Sequence, residues 1–200
     1  MIIAVVVLSL IGVGVWVYFR QRWIKEFEAK GWTFDDHPGI ETAYGLNAPP
    51  FGQGDHREVK DLVSGTIDGL PFRVLNYQCD GFGGWMATWP LPRAYPQVHI
   101  GAPRPEVAGY EIDVPGASGI TADPDFDNVL VPAIIPALAP FGTLGRVAIT
   151  IDGAQLTVGP IPHKAEEMEP FLRAGTGVAR AIVSAQDRLA DSSLPRSRPN

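Results

Sequence analysis

The chain has 200 residues and a mass of 21.6 kDa, a size that fits one domain with an appendage rather than several domains. Its 16 Lys and Arg residues against 22 Asp and Glu residues give a formal net charge of −6, which argues against a general nucleic-acid-binding protein because such a protein needs a basic surface. The single cysteine excludes an internal disulfide, so the chain is not a disulfide-stabilised secreted scaffold.

Residues 2–19 form an apolar run without a charged side chain. As a helix this run would be roughly 27 Å long, close to the ~30 Å thickness of the hydrocarbon core of a bilayer. A cleaved signal peptide would need a basic segment before the run and a small-residue cleavage site after it, and the sequence has neither. A buried core helix is the other alternative, and it fits an uncharged N-terminal run poorly. We therefore expect residues 1–19 to be a transmembrane anchor that contacts the lipid bilayer through residues 2–19.

The charges that flank this run predict its orientation. No charged side chain precedes the run, whereas four basic residues follow it within residues 20–30. The positive-inside rule places such a basic flank in the cytoplasm. The sequence therefore predicts a single-pass protein of the cell membrane, with its N-terminus outside and the rest of the chain cytoplasmic.

Residues 20–30 are predicted to form a basic juxtamembrane helix. Trp23 and Phe27 lie four residues apart, so a helix places them on one apolar stripe suited to the headgroup level of the bilayer. A simple continuation of the transmembrane helix is the alternative. The residues expected at the membrane interface are Trp16, Tyr18, Arg20, Arg22, Trp23 and Lys25.

The clearest local signal in the rest of the chain is a β-hairpin over residues 62–77. Asp68-Gly69 supplies the positive φ angles of a type I′ turn. A two-residue loop there pairs Val63 with Val74 and puts the apolar residues of both strands on one face. Since the pairing register and the hydrophobic pattern agree, the sequence predicts a hairpin at this position.

A second hairpin is predicted over residues 147–158, because Asp152-Gly153 repeats the same turn chemistry between alternating apolar residues. Prolines limit the length of the strands expected between the two hairpins. These strands are at residues 86–91, 97–100 and 110–114. The segment before the first hairpin, residues 31–59, is loop-like, and its aromatic side chains are expected to pack along the sheet.

Asp123 and Pro124 have the character of an N-cap and a first-turn residue, so they are expected to open a helix. Pro132 and Pro136 follow within the same apolar segment. Each proline removes a backbone donor, so the helix must either kink or split into short turns.

The closing element is predicted to be an amphipathic helix over residues 164–190, with apolar residues at spacings of three and four. Pro170 marks a start or a bend of the regular helix. Residues 191–200 have little to bury and are expected to be disordered. The predicted fold class is α+β, in which the N-terminal transmembrane helix is followed by an antiparallel sheet of hairpins covered by the C-terminal helix. Residues 31–190 are predicted to form a single domain.

No pattern in the sequence predicts a catalytic residue, a cofactor or a metal ion. Asp123, Asp125 and Asp127 match the first ligand positions of a calcium loop, but the pattern fails after them and helix capping explains them. The four histidines are scattered, so a zinc site would have to assemble across the fold with Cys79. Cys79 is more typical of a small buried hydrophobe.

Three aromatic residues interleaved with prolines are the best candidates for partner binding. Aromatic side chains beside prolines on an exposed strand could form a recognition groove. Packing in the core is the alternative, since large aromatic side chains are mostly buried. The three residues are Trp85, Trp89 and Tyr95.

Three motifs carry a resemblance to a known group of proteins. They are Gly31-Trp32-Thr33, Phe51-Gly52-x-Gly54 and Val63-Ser64-Gly65-Thr66-x-x-Gly69-x-Pro71-Phe72. In this order, and with the closing helix, the chain resembles uncharacterised actinobacterial single-pass membrane proteins with a domain of unknown function. The resemblance implies one N-terminal membrane helix, and it supplies no active-site residues.

From these observations we expect a membrane-tethered, non-catalytic interaction or scaffold module on the cytoplasmic face of the membrane, with a protein partner of unknown identity and no nucleic acid. The alternative is a ligand-binding or hydrolase domain whose site assembles only in the fold. A deep pocket that gathers His, Asp and Cys would favour the enzyme, whereas a shallow apolar groove near Trp85 and Trp89 would favour partner binding.

Overall fold

The computed structural model describes residues 2–46, 51, 54–101, 110–114, 117–121, 124–138, 141 and 147–193. Within these residues the fold is α+β, as predicted. The helices are α1 (Ile2–Glu28), α2 (Pro124–Leu138) and α3 (Ala165–Ser193), with a 3₁₀ turn at Ile40–Ala43. The strands are β1 (Thr33–Asp36), β2 (Glu58–Ile67), β3 (Leu70–Cys79), β4 (Phe82–Ile100), β5 (Tyr110–Val114), β6 (Ala117–Thr121) and β7 (Ala148–Ile161).

These seven strands form one sheet, and every pairing described in it is antiparallel. The order β1-β2-β3-β4-β6-β5 describes the main path, and β7 pairs with β4. Ala87 pairs with Val74 of β3 on one edge of β4 and with Val158 of β7 on the other. β7 also pairs with the end of β4, in the region where the other neighbour of β4 is β6 and no longer β3. The β4–β7 ladder therefore forms the centre of the sheet.

The first predicted hairpin is confirmed as β2 and β3. Val63 lies opposite Val74, as the two-residue loop requires. Asp68 and Gly69 have φ angles of 50° and 82°, which are the positive values of a type I′ turn.

The second predicted hairpin is wrong. Residues 148–161 form the single strand β7, which pairs with β4 along its length, and Gly153 lies opposite Tyr95 between two register shifts. The apolar residues of this segment lie at odd positions up to Ile151 and at even positions from Leu156, so a single strand needs an irregularity between them to keep both sets on one face. The long partner β4 therefore decides the outcome, and the Asp-Gly pair becomes an irregularity in a strand.

The expected separate strands at 86–91 and 97–100 are likewise one strand, β4, whereas the expected strand at 110–114 is confirmed as β5. Pro92 and Pro96 lie within β4 at register shifts, and neither pairs with a residue in the described ladders. A proline is compatible with a strand where no ladder hydrogen bond requires its missing N–H.

The two later helices both continue through their prolines. α2 runs through Pro132 and Pro136 as one helix, so the split into short turns does not occur. α3 begins at Ala165, so Pro170 lies inside the helix, which extends to Ser193. The predicted N-cap Asp123 and residues 194–200 of the predicted disordered tail lie outside the described residues.

The two faces of the sheet are covered by different parts of the chain. Val74 belongs to a core cluster shared with α2 and α3, while its neighbour Leu75 belongs to a smaller cluster with Ala43, Leu46 and Phe51. Successive strand residues point to opposite faces. The segment at residues 31–59, predicted to be loop-like, therefore supplies edge strand β1 and covers the face opposite the helices.

Candidate functional site

The last turns of α1 pack into the domain. Phe27 is fully buried, and its ring stacks on that of Phe34 with centroids 5.8 Å apart. The half-buried Trp23 meets the ring of Trp85 edge-on at 5.6 Å. We call these four residues the junction cluster. Aromatic pairs at such distances stabilise a fold by more than their buried area alone would give. The end of α1 is therefore part of the core of the domain.

A charge cluster lies beside the junction cluster. The Arg20 guanidinium pairs with the carboxylates of Asp36, at 2.6 Å, and of Asp61. Asp61 is 5% exposed, and it also accepts a hydrogen bond of 2.7 Å from the Asn76 side-chain amide. Burial of Arg20 opposes its charge, but the hydrogen bonds to Asp61 and Asp36 outweigh that effect and raise its pKa. Arg20 is therefore a permanent cation that links α1 to β1 and β2.

A second set of ion pairs joins the turn that follows α1 to α3. Lys30 pairs with Glu169, and Arg173 pairs both with Glu169, at 2.7 Å, and with Asp68 of the β2–β3 turn, at 2.8 Å. The hydrogen bond from Lys30, with that from Arg173, lowers the pKa of the Glu169 carboxyl. Ion pairs thus connect the end of α1 and the turn after it to β1, β2 and α3.

The six residues predicted at the membrane interface do not share one environment. Arg20 and Trp23 face the domain, as described above. Trp16 and Tyr18 are 62% and 63% exposed, and Arg22 and Lys25 are exposed as well. The sequence pattern identifies aromatic and basic residues near a helix end, but it cannot show which of them have partners in the domain.

The three residues predicted to bind a partner do not form an exposed aromatic surface. Trp89 and Tyr95 are 1% and 5% exposed, and Trp85 is half-buried in the junction cluster. The Trp89 indole N–H donates to the Thr176 hydroxyl of α3 at 3.2 Å. The core-packing alternative therefore describes Trp89 and Tyr95.

An apolar groove lies between α3 and the segment of β4 that follows Trp89. Its volume is about 670 Å³. We call it the proline groove, and it is lined by Leu70, Pro90, Leu91, Pro92, Ala179, Arg180, Val183 and Ser184. Apart from Arg180 and Ser184, the residues that line it are apolar.

The described residues do not gather histidine, aspartate and cysteine in a deep pocket. His56 lies 3.2 Å from the Asp80 carboxylate, but their side chains are 87% and 60% exposed. Water screens the attraction between two charges at that exposure, so the pair is a surface contact. Among the described residues, no group of three or more His, Cys, Asp and Glu side chains is arranged to hold a metal ion.

A second cavity lies where α1 meets the domain, and sequence reasoning did not predict it. Its volume is about 490 Å³. We call it the junction pocket, and it is lined by Trp16, Phe19, Arg20, Arg22, Trp23, Glu26, His163 and Lys164. His163 and Lys164 precede α3 and lie far from α1 in sequence, so only the tertiary fold brings them beside it. The described residues include no helix that combines the length and the apolar content needed to cross a membrane.

No protein-family model matches the sequence, and no curated protein is significantly similar to it. The fold is similar to the crystal structure of the mycobacterial trehalose monomycolate transport factor A, TtfA. The TM-score is 0.64 at 10% sequence identity, over 81% of this chain and 93% of TtfA. The structural neighbour is thus actinobacterial, like the proteins that the sequence motifs resemble. At this identity the likeness establishes a shared fold.

Proposed function

We propose that the chain is a membrane-tethered, non-catalytic interaction module, held by residues 2–19 in the bilayer with its domain on the cytoplasmic face. The uncharged run at residues 2–19 and the basic flank after it support the tether and its orientation. α1 continues without a break from this run to Glu28. At ~1.5 Å per residue the 27 residues of α1 extend over about 40 Å, enough for a bilayer core and two further turns.

The observation that carries the proposal is the attachment of α1 to the domain. The buried ion pair of Arg20 with Asp61 and the stacking of Phe27 on Phe34 fix the helix end on the sheet. A flexible linker would let the domain turn freely beneath the membrane. The observed junction instead presents the domain in a defined orientation, which suits a module that assembles with a membrane-bound partner.

The proline groove is the proposed partner surface. Its lining is apolar apart from Arg180 and Ser184. The Arg180 side chain is engaged with the backbone carbonyl of Asp68, which leaves the apolar side chains of β4 and α3 as the contact surface. A partner segment with two or three apolar side chains would bury them there.

The tether and its orientation are tested by thiol labelling in intact cells. In a Cys79→Ser background, a cysteine at Ile2 should react with an impermeant thiol reagent. A cysteine at the exposed Lys60 of β2 should react only after permeabilisation. The opposite pattern would refute the orientation, and release of the chain by alkaline carbonate would refute the anchor.

The partner surface is tested by photo-crosslinking from native membranes. A photoreactive amino acid at Pro92, which is exposed at the proline groove, should give a discrete adduct that mass spectrometry can identify. The same amino acid at Tyr44, 72% exposed on the opposite face, is the control. Adducts of equal yield at both positions, or none at Pro92, would contradict partner binding at the groove.

A role in transport is the second candidate function, and the likeness to TtfA favours it. A factor of this kind would act by holding a transport component at the membrane, which is compatible with a non-catalytic module. Deletion of the chain should then leave a lipid-linked export substrate at the inner leaflet. Unchanged lipid export in the deletion strain, together with a partner crosslinked at Pro92 in the strain that carries the chain, would support the interaction module and exclude the role in transport.

A further inference from the structure

The junction pocket joins two kinds of surface at the point where α1 would leave the bilayer. Trp16 and Phe19 are 62% and 61% exposed and form its apolar side. Arg22 of α1 and Lys164 of the body, both exposed, form its basic side. A ligand that fits both sides has an anionic group next to an apolar one, as a phospholipid does.

The basic side of the pocket is only partly neutralised. Lys164 pairs with Glu167 at 2.9 Å, and Glu26 also lines the pocket. Arg22 makes no ion pair with any side chain in the described part of the chain. Since residues 31–200 contain 12 basic and 20 acidic residues, the body as a whole is repelled by an anionic surface. The basic side of the pocket is therefore a local exception to this negative charge, on the side of the domain that would face the membrane.

Two N–H donors in the lining lack an acceptor. The Arg20 Nε and the Trp23 Nε1 are buried, and neither has a hydrogen-bond partner within the described residues. Both residues line the junction pocket. An unpaired buried donor is unfavourable, because it has lost its hydrogen bond to water without gaining another. Because both atoms are closed to solvent, a ligand in the pocket would contact them only if the neighbouring side chains moved.

We propose that the junction pocket binds the headgroup of an anionic phospholipid from the inner leaflet. The phosphate lies against Arg22 and Lys164, with His163 beside it, and the glycerol and first acyl carbons lie against Trp16 and Phe19. This inference deepens the proposed function and rests on it, because only an anchored chain holds the pocket at headgroup level. The bound lipid would fix the domain's height and tilt at the membrane.

Lipid retention by the full chain tests the pocket. The chain is purified in a mild detergent, incubated with equal amounts of phosphatidylglycerol and phosphatidylcholine, and examined by native mass spectrometry. Phosphatidylglycerol should be retained over phosphatidylcholine. The Arg22→Gln/Lys164→Gln variant should reduce that preference by about thirtyfold, the scale expected for two basic groups near an anionic surface. Arg57→Gln/Lys60→Gln is the matched control, since it removes one arginine and one lysine that are exposed outside the pocket.

Equal retention of the two lipids, or equal losses in the two double variants, would overturn the inference. Displacement of phosphatidylglycerol by inorganic phosphate at the same concentration would show a free-phosphate site instead, and would also overturn it. Failure of the anchor has a different signature: the chain is released by carbonate whatever lipid the purified protein retains. If carbonate releases the chain from membranes but the purified chain still prefers phosphatidylglycerol, the proposed tether is refuted and the proposed lipid site is retained.

Discussion

Asp61 is the residue on which the attachment of α1 depends most. Its carboxylate is 5% exposed, and it accepts hydrogen bonds from Arg20 and Asn76. A buried carboxylate is stable only when its charge and lone pairs have partners. Arg20 reaches across 41 positions of sequence to supply one of them, so the two residues depend on each other for their place in the fold.

Asp61→Ala should destabilise the domain, because it leaves the Arg20 guanidinium with only the more exposed Asp36. We expect the free energy of unfolding to fall by about 2 kcal/mol, somewhat less than for a fully buried pair. Urea denaturation of the full chain in detergent, followed by tryptophan fluorescence, measures the change. Asp36→Ala is the control and should cost less than about 1 kcal/mol, as is usual for a partly exposed pair. Equal losses would show that Asp61 is not the principal partner.

Sequence reasoning could place these residues on a helix but could not assign their roles. The basic and aromatic residues at 16–25 match the composition of a membrane interface. Arg20 and Trp23 also contact the domain, because their partners Asp61 and Trp85 come from β2 and β4. No local pattern marks either partner. The junction pocket escapes sequence analysis for the same reason.

At the scale of elements, local sequence patterns predict the structure correctly where the paired residues are close together in the sequence. The β2–β3 hairpin is specified by its own turn and alternation, and its register is predicted residue by residue. β7 carries the same signals, but its partner is β4. Thr150 of β7 is buried and hydrogen-bonded to His99 of β4 at 2.8 Å. A long-range pairing therefore overrides the turn.

The packing of α3 on β4 predicts that alanine has opposite effects on the free energy of unfolding at two nearby glycines of α3. A Cβ at Gly175 would lie 2.2 Å from the Trp89 ring, whereas a Cβ at Gly177 would meet only Ala137, at 3.5 Å. Gly175→Ala should cost about 1–3 kcal/mol by overpacking. Gly177→Ala should gain about 0.5–1 kcal/mol from helix propensity. Thermal unfolding of the two variants checks this, and stabilisation by both would show that α3 lies farther from Trp89.

The ion pairs of Glu169 with Lys30 and Arg173 predict that the stability of the domain depends on pH. Lys30 and Arg173 lower the pKa of Glu169 below its ordinary value of 4.5. The ionised carboxylate is favoured by folding, so its contribution is present above that value and is lost as the pH falls through the lowered one. Glu169→Gln should therefore be less stable than wild type at pH 6, and the difference should shrink towards pH 3. A difference that is constant with pH, or matched by Glu166→Gln, would contradict this.

At the scale of the whole molecule, ion pairs and aromatic contacts attach the last turns of α1 to the domain. The Arg20 pairs and the junction cluster lie on α1, and the Lys30–Glu169 pair lies just after it. We expect this attachment to be rigid. In the proposed tether, a bilayer-bound helix with this attachment would transmit its orientation to the domain and thereby orient the proline groove relative to the membrane.

Spin-label distances between α1 and the sheet should show this rigidity. With labels at Val15 and Lys60 in a Cys79→Ser background, both exposed sites, the full chain in lipid nanodiscs should give one narrow distance distribution. Arg20→Gln should broaden it, because it removes the ion pairs that link α1 to β1 and β2. Arg22→Gln removes a charge from the same helix without breaking an ion pair of the described residues, and should leave the distribution narrow. A broad distribution in the parent chain would mean that the domain turns freely below its anchor, and a defined presentation of the groove would then be impossible.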